Sequence, residues 1–177
     1  MRRIRGVVGA LPVAALVAAI TASLALAAGC GSGGGDHVDA DSLPHALRAR
    51  VIRAVDGDTA LVRVDGQVEY VRYIGVDTPE TVKPGTPVQC GGPRASAYDH
   101  EVVDGRPVRL VFDRERQDAY GRLLAYVHVG GRFVNADLVR RGLARPFRYP
   151  PNTAHASLFA RLADRAGRRG RGLWRRC

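Results

Sequence analysis

Cysteine, lysine, tryptophan and methionine are all scarce in this 177-residue chain. There are three cysteines, one tryptophan, one methionine, and a single lysine (Lys83) among 27 basic residues. No Cys-x-x-Cys pair and no closely spaced histidine pair occurs, which excludes a structural zinc site of the usual spacing. Acidic residues number only 17, for a formal net charge of +10. A basic surface attracts polyanions, chiefly nucleic acid or anionic membrane. Composition alone also allows an ordinary soluble protein with scattered charge. Charge is missing altogether from Gly6 to Gly35.

That uncharged stretch follows Arg2, Arg3 and Arg5, and its centre, Val13 to Ala28, is dominated by Ala, Leu, Val and Ile. A positive start and an apolar run form an export signal, expected over residues 1–29. It ends in Ala27-Ala28-Gly29-Cys30, which resembles the lipobox of bacterial lipoproteins, where the signal is cleaved and the new N-terminal cysteine (Cys30) is lipidated. An ordinary cleavable signal and an uncleaved anchor are the alternatives. Gly31 to Gly35 opens a flexible tether, expected over 30–45, that cannot bury a core. Residues 46–177 are then expected to form one domain. Loss of the signal removes three arginines and leaves 24 basic residues against 17 acidic. If Cys30 is lipidated, Cys90 and Cys177 remain. An exported chain meets oxidising conditions, so a Cys90–Cys177 disulfide is expected, with two free thiols as the alternative.

Strands are expected at Ala46–Val55, Thr59–Val64, Val68–Val76, Pro107–Asp113 and Arg122–Val129. Asp56-Gly57 and Asp65-Gly66 turn the first three into a meander. The third strand sets Val68, Tyr70, Arg72, Ile74 and Val76 on one face. Pro93 suits the first turn of a helix that Gly105 ends. Asn135 is expected to cap a short helix to Arg141, and Leu158, Leu162 and Ala166 stripe a third. Pro146 to Pro151 reads as a stiff connector. Five strands with a helix between the third and fourth suggest an α+β, mainly β fold: an OB-fold, five-stranded Greek-key barrel with three packed helices.

Three clusters carry chemistry: Asp56-Gly57-Asp58-Thr59; Arg72 with Asp77-Thr78-Pro79-Glu80; and Tyr120-Gly121-Arg122. Cleaving a phosphodiester takes a cation on oxygen ligands, a base for water, and fixed positive charge on the phosphate. Asp58 and Asp77 are the candidate ligands for a hard cation such as Ca²⁺. Asp56 and Thr59 flank Asp58 as supporting residues. Glu80 is the candidate base, and Arg72 and Arg122 are the candidate phosphate clamps. Each cluster alone has a plainer reading, as an Asx turn, an exposed loop acid or a surface arginine. Strict alternation sets Arg72 and Asp77 on opposite faces of one strand. They share a site only if the chain bends after Ile74, and Gly75 allows that.

The chain resembles the staphylococcal nuclease (thermonuclease) family over roughly Leu47 to Trp174. The resemblance rests on Val55-Asp56-Gly57-Asp58-Thr59, Arg72, Val76 to Thr81, Tyr120-Gly121-Arg122 with Leu124-Ala125-Tyr126, Val134-Asn135 with Leu138-Val139-Arg140, and Gly142-Leu143-Ala144. It implies an OB-type barrel with three helices and Ca²⁺-dependent hydrolysis of DNA and RNA, with single strands preferred and little sequence preference. It implies Ca²⁺ on Asp58, Asp77 and the backbone carbonyl of Thr78, Glu80 as general base, and Arg72 and Arg122 on the phosphate. A substrate-contacting lysine of the family is matched by Ala119. Tyr120, Phe147 and Tyr149 match rings of the nucleotide pocket, Phe147 without a hydroxyl. They suit base stacking, although Phe147 and Tyr149 also fit a packing role. The expected protein is a monomer, held at the membrane through its lipid if Cys30 is modified and otherwise secreted. The competing reading is a non-catalytic nucleic-acid-binding barrel at the cell surface.

Overall fold

The computed structural model describes residues 45–176. The expected signal, most of the tether, Cys30 and Cys177 lie outside the described residues. Cys90 is disulfide-bonded.

The elements run β1 (Ala46–Ala54), β2 (Thr59–Val64), β3 (Gln67–Tyr73), β4 (Val76–Asp77), α1 (Gly92–Val103), β5 (Pro107–Val111) and β6 (Leu123–Val129). They continue with β7 (Arg132–Phe133), α2 (Val134–Arg141), β8 (Arg145–Pro146), α3 (Ala156–Arg168) and α4 (Leu173–Arg176). Asp65 and Gly66 both have positive φ, 48° and 88°. That geometry matches the right-handed twist of a two-residue hairpin, and it sets the β2–β3 register, in which Thr59 faces Arg72. β1 pairs antiparallel with β2 and β5, and β5 with β6. β6 then lies parallel to β3, with Arg72 opposite Leu124, and this closes five strands into a barrel. Val51, Ala60, Val62, Val71, Tyr73, Val108, Leu110 and Val127 fill the barrel, all buried. The α+β, OB-fold five-stranded barrel expected from the sequence is the observed architecture, with α4 and three short strands in addition.

Two local expectations are corrected. The third strand is not continuous, because β3 stops at Tyr73 and β4 starts at Val76. Val68 and Tyr70 lie on the exposed face, whereas Ile74 and Val76 turn inward and are buried. Asn135 does not cap α2, whose N-cap is Phe133 with no side-chain cap bond. Its fully buried amide instead donates to Ile74 O at 2.9 Å and accepts from Val127 N at 2.9 Å.

Asn135 therefore holds the bend open. Ile74 N donates to Ala125 O, and Gly75 O accepts from Phe147 N, both at 3.0 Å. The polar backbone groups freed by breaking the strand are thus bonded again, as burial requires. Gly75 has φ +79°, and a Cβ there would stand 2.6 Å from the ring of Phe159 on α3. Left-handed backbone and a close ring together demand glycine. Gly75→Ala should cost roughly 2–4 kcal/mol of unfolding free energy. Denaturant titration checks this, and a cost below about 0.5 kcal/mol would show that the bend tolerates a side chain.

Candidate functional site

The β2–β3 register places Asp58 beside Arg72. Tyr73 N donates to Asp58 O at 2.9 Å, and the Arg72 guanidinium meets the Asp58 carboxylate, Nη1 to Oδ1, at 2.9 Å. The bend returns the chain, so that Arg72 Nη2 also reaches Asp77 Oδ1, at 3.2 Å. Nη1 donates as well to the carbonyls of Tyr73, at 3.2 Å, and Val76, at 3.0 Å. Arg72 is thus clasped by two carboxylates and two carbonyls around the bend, which removes the alternation conflict. Thr78 completes the cluster by donating its N–H (2.7 Å) and hydroxyl (3.0 Å) to Asp58 Oδ2.

Asp56 accepts the N–H of Asp58 at 2.9 Å, which shapes the turn without joining the cluster directly. The hydroxyl of Thr59 lies 3.4 Å from Asp58 Oδ1. Both therefore support Asp58. The Asp58 side chain is 6 % exposed and that of Asp77 58 %. Burial pushes the Asp58 carboxyl up from 3.8 to about 6, against the pull of Arg72 and the Thr78 hydrogen bonds, and with help from the nearby charge of Asp56. Desolvation outweighs even a close guanidinium.

Arg122 arrives through the parallel β3–β6 pairing. Its Nε donates to Asp118 Oδ2 at 2.7 Å, and its backbone N–H to Asp118 Oδ1 at 3.0 Å. Asp118 also accepts Tyr120 N at 2.9 Å, so this one acid shapes the turn and aims the arginine. Sequence reasoning missed Asp118. An Asp two residues before Tyr-Gly is an Asx-turn signal that would have found it. Arg72 and Arg122 line one pocket of about 180 Å³, together with Gly75, Val76, Phe147 and Tyr149. The rings of Phe147 and Tyr149 lie 6.3 Å apart at its edge. β8 brings them there by pairing with β4. Tyr120 is 86 % exposed, with its ring 5.5 Å from the Arg122 guanidinium carbon.

Glu80 stands apart. Its Oε1 accepts the backbone N–H groups of Thr81 (2.9 Å), Val82 (2.9 Å) and Lys83 (3.0 Å). Partial burial works to raise this carboxyl, but the donors of Val82, Thr81 and Lys83, with the Lys83 charge, hold it below its ordinary value. Among the described residues it bonds to none of Asp58, Arg72, Asp77 and Arg122. It is an ionised acid fixed to its own loop, three residues past Asp77.

The donor set suits a hard divalent ion. Two carboxylates converge on one positive group, the Arg72 guanidinium, with the carbonyls of Tyr73 and Val76 and the hydroxyls of Thr59 and Thr78 beside them. Two carboxylates alone make a weak site that relies on water and substrate oxygens. The folded carboxyl of Asp58 titrates above its unfolded value. Its favourable contribution to stability is therefore present below about pH 4 and lost as pH rises through 6. In chelator, Asp58→Asn should raise unfolding free energy at pH 8 by about 1–3 kcal/mol, a gain that vanishes near pH 4. Thermal or urea unfolding at the two pH values checks it; equal effects at both would contradict the assignment.

Comparison with known proteins agrees with this geometry. The family model described as staphylococcal nuclease homologue matches residues 70–176. The thermonuclease of Staphylococcus intermedius is 47 % identical over 126 residues, 71 % of this chain and 75 % of that protein. The thermonuclease of Staphylococcus hyicus is 42 % identical over 125 residues, 71 % and 74 % of the two chains. Endonuclease YncB of Bacillus subtilis (strain 168) is 48 % identical over 109 residues, 60 % of this chain and 52 % of that one. With the barrel, the bend and the paired arginines in place, the chain belongs to the staphylococcal nuclease family.

Proposed function

We propose that the protein is a Ca²⁺-dependent nuclease that hydrolyses phosphodiester bonds in DNA and RNA with little sequence preference. One observation carries this reading: two arginines, one on β3 and one just before β6, line a single pocket, and the first joins the two acids suited to a cation. The thermonuclease and endonuclease relatives support it.

Asp58, Asp77 and the Thr78 carbonyl would hold the ion, which when bound supplies positive charge to the phosphate and to the attacking water. Glu80, ionised at neutral pH, takes the proton of that water. Three N–H donors hold Glu80 ionised and lower its basicity, so it would serve as a weak, fixed base toward that water. Asp118 engages Nε of Arg122, the inner nitrogen, and leaves the terminal fork for phosphate oxygens. Arg72 places a second positive group on the same pocket, and the pair stabilises the charge that grows on the phosphoryl oxygens. Phe147 and Tyr149 offer ring faces, which every base can stack on. Phosphate and ring contacts carry no base code, hence the weak sequence preference.

Denatured DNA and RNA should be cut in Ca²⁺ and left intact in chelator. Glu80→Gln should lower kcat about 100- to 10,000-fold while retaining strand binding. No cleavage in either condition, with strands still bound, would favour the non-catalytic binding barrel. Equal cleavage in both conditions would remove the ion from the account.

A further inference from the structure

A concavity of about 1070 Å³ shares no lining residue with this pocket. It is walled by α1, by the C-terminal turn of α2 and by the segment 169–175. Arg94, Arg140, Arg141, Arg169, Arg171 and Arg175 line it. Two acids also line it, Glu101 and Asp137. Asp137 is already matched, since it pairs with Arg140 and lies 3.8 Å from Arg132. Arg141 stacks on Tyr98 with its guanidinium carbon 4.6 Å from the ring centre. Among the described residues Arg94, Arg169 and Arg175 form no ion pair. A smaller hollow beside it adds Arg165 and Arg168. So many like charges facing one hollow repel each other, and such an arrangement stabilises an anion rather than the fold.

The walls are fixed. Leu173 N donates to Gly142 O at 2.9 Å. A Cβ on Gly172 would stand 2.1 Å from that same oxygen, so the two backbones touch where only glycine fits. The groove also adjoins the site. Arg145 on β8 pairs with Asp77 in the strand ladder. Its guanidinium carbon lies 4.9 Å from the ring centre of Trp174, and Trp174 precedes Arg175. Trp174 is 39 % exposed, a face on which a base can stack.

We propose that this arginine groove is a second binding site of the protein, which takes the phosphate backbone of a single polynucleotide strand beyond the scissile bond. The strand would leave the Asp77 end of the site, cross Arg145 and Trp174, and run along the groove. This rests on the nuclease reading for its substrate. Guanidinium forks grip individual phosphates in two-point fashion, and a concave trough admits a strand. A bilayer presents a flat surface and calls for several exposed apolar groups beside the charge, whereas this concavity is lined mostly by charged side chains and its largest aliphatic one, Leu143, is buried.

The test uses the full chain and the triple variant Arg94→Gln, Arg169→Gln, Arg175→Gln, whose arginines leave no stranded acid behind. Binding of a fluorescent 30-nucleotide strand (about 30) is measured by anisotropy in chelator across a salt series. The variant should bind roughly tenfold more weakly, with the slope of log K against log salt reduced by about 2. In Ca²⁺, KM for the long strand should rise while dinucleotide cleavage is unchanged. Unchanged strand affinity and slope would overturn the groove proposal, even with cleavage intact. If the wild type cuts nothing, the binding arm still decides the groove, and the failure falls on the nuclease reading instead. Vesicles containing anionic lipid form a parallel arm. A variant that loses vesicle binding but keeps strand binding would overturn the proposal in favour of a membrane face.

Discussion

The contact on which the site depends is the clasp around Arg72. One guanidinium gathers Asp58, Asp77 and two carbonyls of the bend. Without it, two carboxylates would face each other with nothing between them, and one of them is buried. Even with it, Asp58 titrates near 6, so the folded protein carries a destabilising charge at neutral pH. A carboxylate kept where it costs stability is the pattern expected of a binding group rather than a packing group. The same arrangement explains why Arg72 can sit among apolar neighbours: each of its bonded nitrogens has an oxygen partner.

The barrel supplies the rest of the geometry through register. A two-residue turn sets β2 against β3, which brings Asp58 to Arg72. The parallel closure of β3 on β6 brings Arg122, and Asp118 fixes its direction. The pairing of β4 with β8 carries Phe147 and Tyr149 to the pocket. Each of these long-range pairings delivers one part of the site, and the break at Gly75 is what lets the second cluster turn toward the first. Asn135 and Phe159 both hold that break, one by hydrogen bonds and the other by contact. The fold and the site are therefore constrained at the same few residues.

Much of this was legible in the sequence. The five strands, the helices and the three chemical clusters follow from turn dipeptides, periodicity and residue type. The need for a bend was visible as a conflict between strand alternation and the positions of Arg72 and Asp77, and Gly75 marked its place. What was not legible depends on contacts between distant segments. Asn135 looked like a helix cap because Asn before a helix usually is one; its bond to Ile74 O spans 61 residues. Asp118 was overlooked beside a more conspicuous Tyr-Gly-Arg. The three donors on Glu80 arise from the path of a loop that has no periodicity to read. The arginine groove joins α1 to the last turn of the chain, so its residues look like scattered surface charge until the glycine contact between Gly142 and Gly172 is seen.

The proposed ion site is a single one, made by Asp58 and Asp77 drawn together by Arg72. Calorimetric titration of Ca²⁺ into the wild type, Asp58→Asn and Asp77→Asn tests it without any need for turnover. The account expects a single site in the wild type, weakened about tenfold or more by either substitution. Wild-type affinity in both variants would place the ion elsewhere and contradict the account.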